Sequence, residues 1–69
     1  SILSVESAGN LIVIKTITAS ANAGCEAIDS MKWPEVLGTI AGDNTILIIA
    51  RSEAAVDTLL QKFDNLIKK

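Results

Sequence analysis

The sequence predicts an α+β domain of order ββαββα: a four-stranded, mainly antiparallel sheet with two helices on one face. Three observations predict it. Two pairs of apolar, β-branched runs are each joined by turn-forming residues, ILSV to LIVIKTI and VLGTIA to TILIIA. After each pair the apolar spacing changes from that of a strand to that of a helix. The whole chain is 69 residues, which makes residues 1–69 a single domain.

The first strand is expected over ILSV, Ile2 to Val5, with Ser7-Ala8-Gly9-Asn10 as the turn and Leu11 to Ile17 as the return strand. A helix is expected from Ala19 or Ser20 to Met31, capped by Thr18 or Ser20. Ala21, Cys25, Ile28 and Met31 fall on one of its faces; Asn22, Glu26 and Asp29 fall on another. Gly24 costs up to ~1 kcal/mol relative to Ala inside a helix, so it marks a close backbone contact. Trp33-Pro34 ends the helix, because Pro disfavours the helical conformation in the residue before it. Trp33 is expected to cover that helix end, and Cys25 to pack as a small hydrophobe.

The second hairpin runs from Glu35 to Ala41 and from Thr45 to Ala50. Gly42-Asp43-Asn44 joins its strands, since Gly and Asn tolerate the positive φ of tight turns. Ser52 caps the last helix, with Glu53 at the positive end of its dipole. Val56, Leu59, Leu60, Phe63, Leu66 and Ile67 form its apolar stripe, and Lys62, Lys68 and Lys69 suit its C-terminal end. Each stripe side chain offers ~1.5–3 kcal/mol when fully buried, so the helix is expected to pack on the sheet. Arg51 has a surface role by default, with a cross-subunit ion pair as the alternative.

Composition narrows the function classes. A domain of this size buries only about 60% of the surface its unfolded chain exposes. Yet 49% of the residues are apolar and only 20% are charged, which points to self-association through an exposed apolar patch. Net charge is −2 and the only clustered basic residues are Lys68 and Lys69, so the basic footprint of nucleic-acid binding is missing. One Cys and no His exclude an intrachain disulfide and leave no His- or Cys-based metal site. The lone Cys fits a reducing, cytoplasmic compartment. No apolar stretch approaches the roughly 20 residues of a membrane span, and the N-terminus lacks a signal-peptide pattern. The chain opens on Ser1 and enters a strand pattern at once, so it reads as a domain excised from a longer protein. Without His, Tyr or a nucleophile–base pair, it offers no catalytic apparatus.

The segment richest in chemistry is GTIAGDNT, Gly38 to Thr45. Turn chemistry accounts for Asp43, whose side chain can bond nearby backbone N–H groups. Yet Thr39, Ala41 and Gly42 leave backbone open beside that carboxylate, as a site for a small polar cation requires. This octapeptide resembles the GTIAGDDT signature of the C-terminal domain of bacterial arginine repressors. The resemblance extends in register through TITASANAGCEAIDSMKWPEVLGTIAGDNTILIIA, Thr16 to Ala50, and covers nearly the whole chain. One departure stands out: the family usually carries two adjacent Asp residues, and this chain has Asp43 followed by Asn44.

The resemblance implies the same ββαββα fold and an oligomerisation and effector-binding function. In that family three domains form a trimer, two trimers stack into a hexamer, and L-arginine sits at the trimer–trimer interface as corepressor. A winged helix-turn-helix upstream binds operator DNA, so this domain would reach DNA only through it. Carried over by motif, Asp43 supplies a carboxylate to the guanidinium, whose planar donor fork it matches. Thr39 and Ala41 offer a hydroxyl and main-chain groups to the same ligand. Asp29 fits the family's partner for the ligand's α-ammonium, and Asn22 fits loosely a position that often carries Gln or His; Ala23 adds backbone beside it. From the residues alone, Asn22, Glu26 and Asp29 also read as a solvated polar stripe. Asn44 keeps a carbonyl acceptor, loses a charge and gains an NH₂ donor. That change supports a second expectation, an effector-independent assembly scaffold of the same family.

Overall fold

The computed structural model describes residues 2–17 and 20–67, the side chains of residues 66 and 67 excepted. Strands β1 (Ile2–Ala8) and β2 (Leu11–Thr16) are followed by helix α1 (Ala21–Met31), strands β3 (Val36–Ala41) and β4 (Thr45–Ala50), and helix α2 (Glu53–Ile67). The sheet order is β1-β2-β4-β3 and every pairing is antiparallel. The predicted ββαββα architecture is therefore the observed one.

Strand alternation sets the core. Ile12, Ile14 and Thr16 of β2 and Ile46, Ile48 and Ala50 of β4 all point to one face and are buried. Both helices pack there, contributing Ala21, Cys25 and Ile28 from α1 and Val56, Leu59 and Phe63 from α2. Cys25 is thus the small hydrophobe expected of it. Gly24 brings α1 close to the sheet: a Cβ there would stand 2.7 Å from Ile46 Cδ1. Ser52 caps α2 as predicted, its Oγ accepting from the Ala55 N–H at 3.1 Å.

Several expectations need correction. Strand β1 continues through Ser7 and Ala8, so the first turn is Gly9-Asn10 alone. Gly9 has φ +59°, the sign that a type II′ turn requires of its first central residue. In the second hairpin neither Gly42 nor Asn44 has positive φ, so the permissiveness invoked for them is not used there. On the predicted apolar face of α1, Ala21, Cys25 and Ile28 are buried, while Met31 at its last position is 42% exposed. Ser20 occupies the N-cap position of α1, but its side chain makes no capping bond. The candidate cap Thr18, the start of the helix at Ala19, and Lys68 and Lys69 lie outside the described residues, as do the side chains of Leu66 and Ile67.

The loop between α1 and β3 is latched to α2. Trp33 meets Phe63 edge-on with ring centroids 5.4 Å apart, and the Lys62 ammonium lies 5.0 Å from a Trp33 ring centroid. Lys62 Nζ also donates to Glu35 Oε1 at 2.7 Å. Arg51 Nε donates to the Pro34 carbonyl at 2.8 Å, which gives Arg51 a role within its own protomer. Trp33 is accordingly a packing residue, as expected.

Two stability predictions follow from these contacts. Gly24→Ala destabilises the domain by about 1 kcal/mol, because overpacking against the buried Ile46 outweighs the gain in helix propensity. In an Ile46→Val background, which lacks Cδ1, the same substitution becomes neutral or stabilising; urea unfolding of the four proteins measures the coupling. The hydrogen bond from Lys62, reinforced by backbone bonding and the ammonium charge, lowers the Glu35 pKa below its ordinary 4.5. A depressed carboxylate stabilises the fold above its unfolded-state pKa, and that contribution disappears as pH falls through the folded value. Glu35→Gln therefore lowers stability at neutral pH and flattens the acid limb of a stability-versus-pH curve below about pH 4.5.

Candidate functional site

The β3–β4 turn is closed by its backbone. Gly42 N–H donates to the Thr45 carbonyl at 2.7 Å, and Thr16 N–H donates to the Asn44 carbonyl at 2.8 Å. The second bond ties the tip of the hairpin to the end of β2. Asp43 takes no part in closing it. Its side chain is exposed and has no hydrogen-bond or ion-pair partner among the described residues. The turn-chemistry role open to Asp43 is thus not the one it performs.

Asn44 is exposed but engaged. Lys15 Nζ donates to Thr45 Oγ1 at 2.9 Å, and Thr45 Oγ1 donates to Asn44 Oδ1 at 3.1 Å. Lys15 and Thr45 face each other across the β2–β4 ladder, on the side of the sheet away from the helices. Neither was singled out from sequence. The available signal was the only charge within the second strand.

On the helix side, Thr39 Oγ1 donates to Asp29 Oδ1 at 3.0 Å. That bond and the approach of Gly24 to Ile46, which pairs with Ala41, fix the direction of α1: it runs antiparallel to β3. The first turn of α1, carrying the exposed Asn22, therefore lies toward the end of the sheet where Asp43 and Asn44 sit. Ala41 is half-buried against the core and leads directly into the turn. Ala23 is placed differently. It lines an apolar groove of about 350 Å³ with Ile14, Thr16, Met31 and Phe63, away from the Asp29–Thr39 contact. The protomer thus brings together Asp29 with Thr39, and Asp43 with Asn44, with Asn22 at the same end and Ala23 on a separate flank. Among the described residues no cluster of His, Cys, Asp and Glu could hold a metal ion, and no helix is long and apolar enough to cross a membrane.

Among the described residues no element covers the sheet face opposite the helices. Leu11 and Val13 of β2, Leu47 and Ile49 of β4, and Ile40 of β3 all point to it. Ile40 is 63% exposed. Leu37, the extra residue at a register shift in β3, is also exposed. Toward β1 the same face turns polar, with Ser4 opposite Lys15 and Glu6 opposite Val13.

Comparison with known proteins gives a consistent picture. The sequence profile of the family described as "Arginine repressor, C-terminal domain" matches residues 1–65. A protein named arginine repressor from Thermoanaerobacter sp. (strain X514) is 53% identical over 68 residues, covering 99% of this chain and 45% of that protein. Proteins of the same name from Alkaliphilus oremlandii (50% identical over 68 residues) and Caldicellulosiruptor bescii (46% over 69 residues) cover 99% and 100% of this chain. They are themselves covered to 46% and 45%. The chain spans less than half the length of these curated relatives.

The uncovered face generates a prediction about assembly. Ile40→Lys places a charge on the β3 side of this face and shifts the domain toward monomer in sedimentation equilibrium, with little loss of protomer stability because Ile40 is not among the core residues. An unchanged oligomer distribution would assign self-association to another surface.

Proposed function

The chain belongs to the family of arginine repressor C-terminal domains, and from that premise we propose that it is the arginine-sensing oligomerisation domain of a cytoplasmic transcriptional regulator of arginine metabolism. The family is one of repressors, not of catalysts. The apolar sheet face packs copies into trimers, and L-arginine, as corepressor, joins two trimers into a hexamer. Operator DNA is reached through a DNA-binding domain upstream.

The observation that carries this reading is the Asp43 carboxylate, exposed at a turn that its own side chain does nothing to hold. A guanidinium suits it: carboxylate oxygens match the planar donor fork, and one such charge-assisted bond contributes ~1.5–3 kcal/mol. Asn44 stands next to it. Asp29, already accepting from Thr39, keeps acceptor capacity for an α-ammonium. Asn22, Ala41 and the backbone of Ala23 complete the proposed set, with ligand groups spanning facing trimers. A ligand held only by the assembled state stabilises that state in turn.

The scaffold reading draws on a specific observation as well. The Asn44 side-chain carbonyl, the acceptor retained at the position of the usual second Asp, already accepts from the Thr45 hydroxyl. Calorimetry with L-arginine separates the two readings: no heat and no thermal shift at millimolar ligand supports an effector-independent scaffold.

Asp43→Asn abolishes arginine-dependent hexamer formation and leaves trimers intact, since the trimer contact is apolar. Light scattering during an arginine titration measures this. A full arginine response in the substituted domain would remove Asp43 from the site.

A further inference from the structure

We propose that Lys15 and Thr45 are positioning residues that turn the Asn44 amide so that the hairpin tip recognises a ureido head group as well as a guanidinium. The inference rests on the ligand reading of the turn given above and deepens it. A lysine ammonium can only donate, so its bond at 2.9 Å occupies an acceptor site of the Thr45 hydroxyl. The hydroxyl proton is thereby directed at Asn44, 3.1 Å away, and selects the amide's carbonyl end. The nearby ammonium charge favours the same orientation. The NH₂ end of Asn44 is left without a partner among the described residues.

The tip therefore offers a carboxylate acceptor at Asp43 beside an amide donor at Asn44. A guanidinium has donors only, so it satisfies Asp43 and meets the Asn44 NH₂ with another donor. A ureido group presents N–H donors and a carbonyl acceptor, and satisfies both. The charge on Asp43 still favours the cation, so the two preferences oppose each other.

The test is calorimetry with L-arginine and L-citrulline on the wild-type domain and on Thr45→Val, Thr45→Ser, Lys15→Met and Asn44→Asp. Thermal melts verify that each variant is folded. The wild type is expected to bind citrulline within about tenfold of arginine, the margin between a charge-assisted and a neutral hydrogen bond. Thr45→Val and Lys15→Met release the amide and raise the arginine-to-citrulline affinity ratio about three- to tenfold, the worth of one neutral hydrogen bond. Asn44→Asp raises it further, and Thr45→Ser, which keeps the hydroxyl, leaves it at the wild-type value. Arginine binding with a ratio unmoved by Thr45→Val and Lys15→Met overturns the positioning role alone. Binding of neither amino acid by the wild type overturns the effector reading and this inference with it.

Discussion

Two helices cover one face of the four-stranded sheet, and no third element among the described residues covers the other. The rest of the molecule follows from that limit. Ile12, Ile14, Ile46 and Ile48 are essentially inaccessible beneath α1 and α2. Their strand neighbours Leu11, Val13, Leu47 and Ile49 are just as apolar, but only adjacent side chains shield them. A one-sided antiparallel sheet normally alternates apolar and polar residues. The central strands here are apolar on both faces, which is the pattern of a sheet buried twice. The protomer supplies one burial, and the proposed oligomer would supply the other through a second copy.

The edges of the sheet are consistent with this division. Both edge strands carry a register irregularity, between Ile2 and Ser4 in β1 and between Val36 and Gly38 in β3. Irregularities of this kind blunt an edge against indiscriminate strand addition. On the proposed self-association, this favours the face, where side-chain shape decides the partner, over the edges, where any strand could pair. At the end of the same sheet, the β3–β4 turn is held by two backbone bonds that use neither Asp43 nor the Asn44 side chain. A turn fixed by its main chain can present side chains in a set geometry without loss of its own stability, which is the condition for a preorganised site.

Much of this was legible in the residues. Period and turn chemistry identified all six elements, and the close approach of α1 to the sheet was readable from Gly24 because a helix-interior glycine has a cost that only packing offsets. The ends of elements were less legible. Ser7 and Ala8 look like turn residues, yet pairing with Ile12 and Leu11 keeps them in β1, because a ladder continues wherever its partner does. The octapeptide pointed to Asp43 and Asn44, but local pattern carries no information on cross-strand neighbours. Lys15 and Thr45 are 30 residues apart, and only the β2–β4 register makes their contact. The separation of Ala23 from Asp29 has the same origin: two residues on one helix share a site only if they share a flank, and the flank is decided by what the helix packs against.

Magnitudes decide whether a single protomer could act as the sensor. One charge-assisted bond at an exposed turn is worth at most ~3 kcal/mol, and water and salt weaken it further. Even millimolar affinity requires about 4.1 kcal/mol, before the cost of immobilising the ligand is met. Asp43 alone therefore cannot retain an amino acid on an isolated domain. On the effector reading, the missing free energy comes from a facing copy that excludes water from the carboxylate and adds groups such as Asp29, already oriented by Thr39. Weakness in the protomer is then what makes the response an assembly response. A site complete within the protomer, gaining no contact from a facing copy, would bind arginine equally before and after association, and a ligand with equal affinity for both states shifts neither.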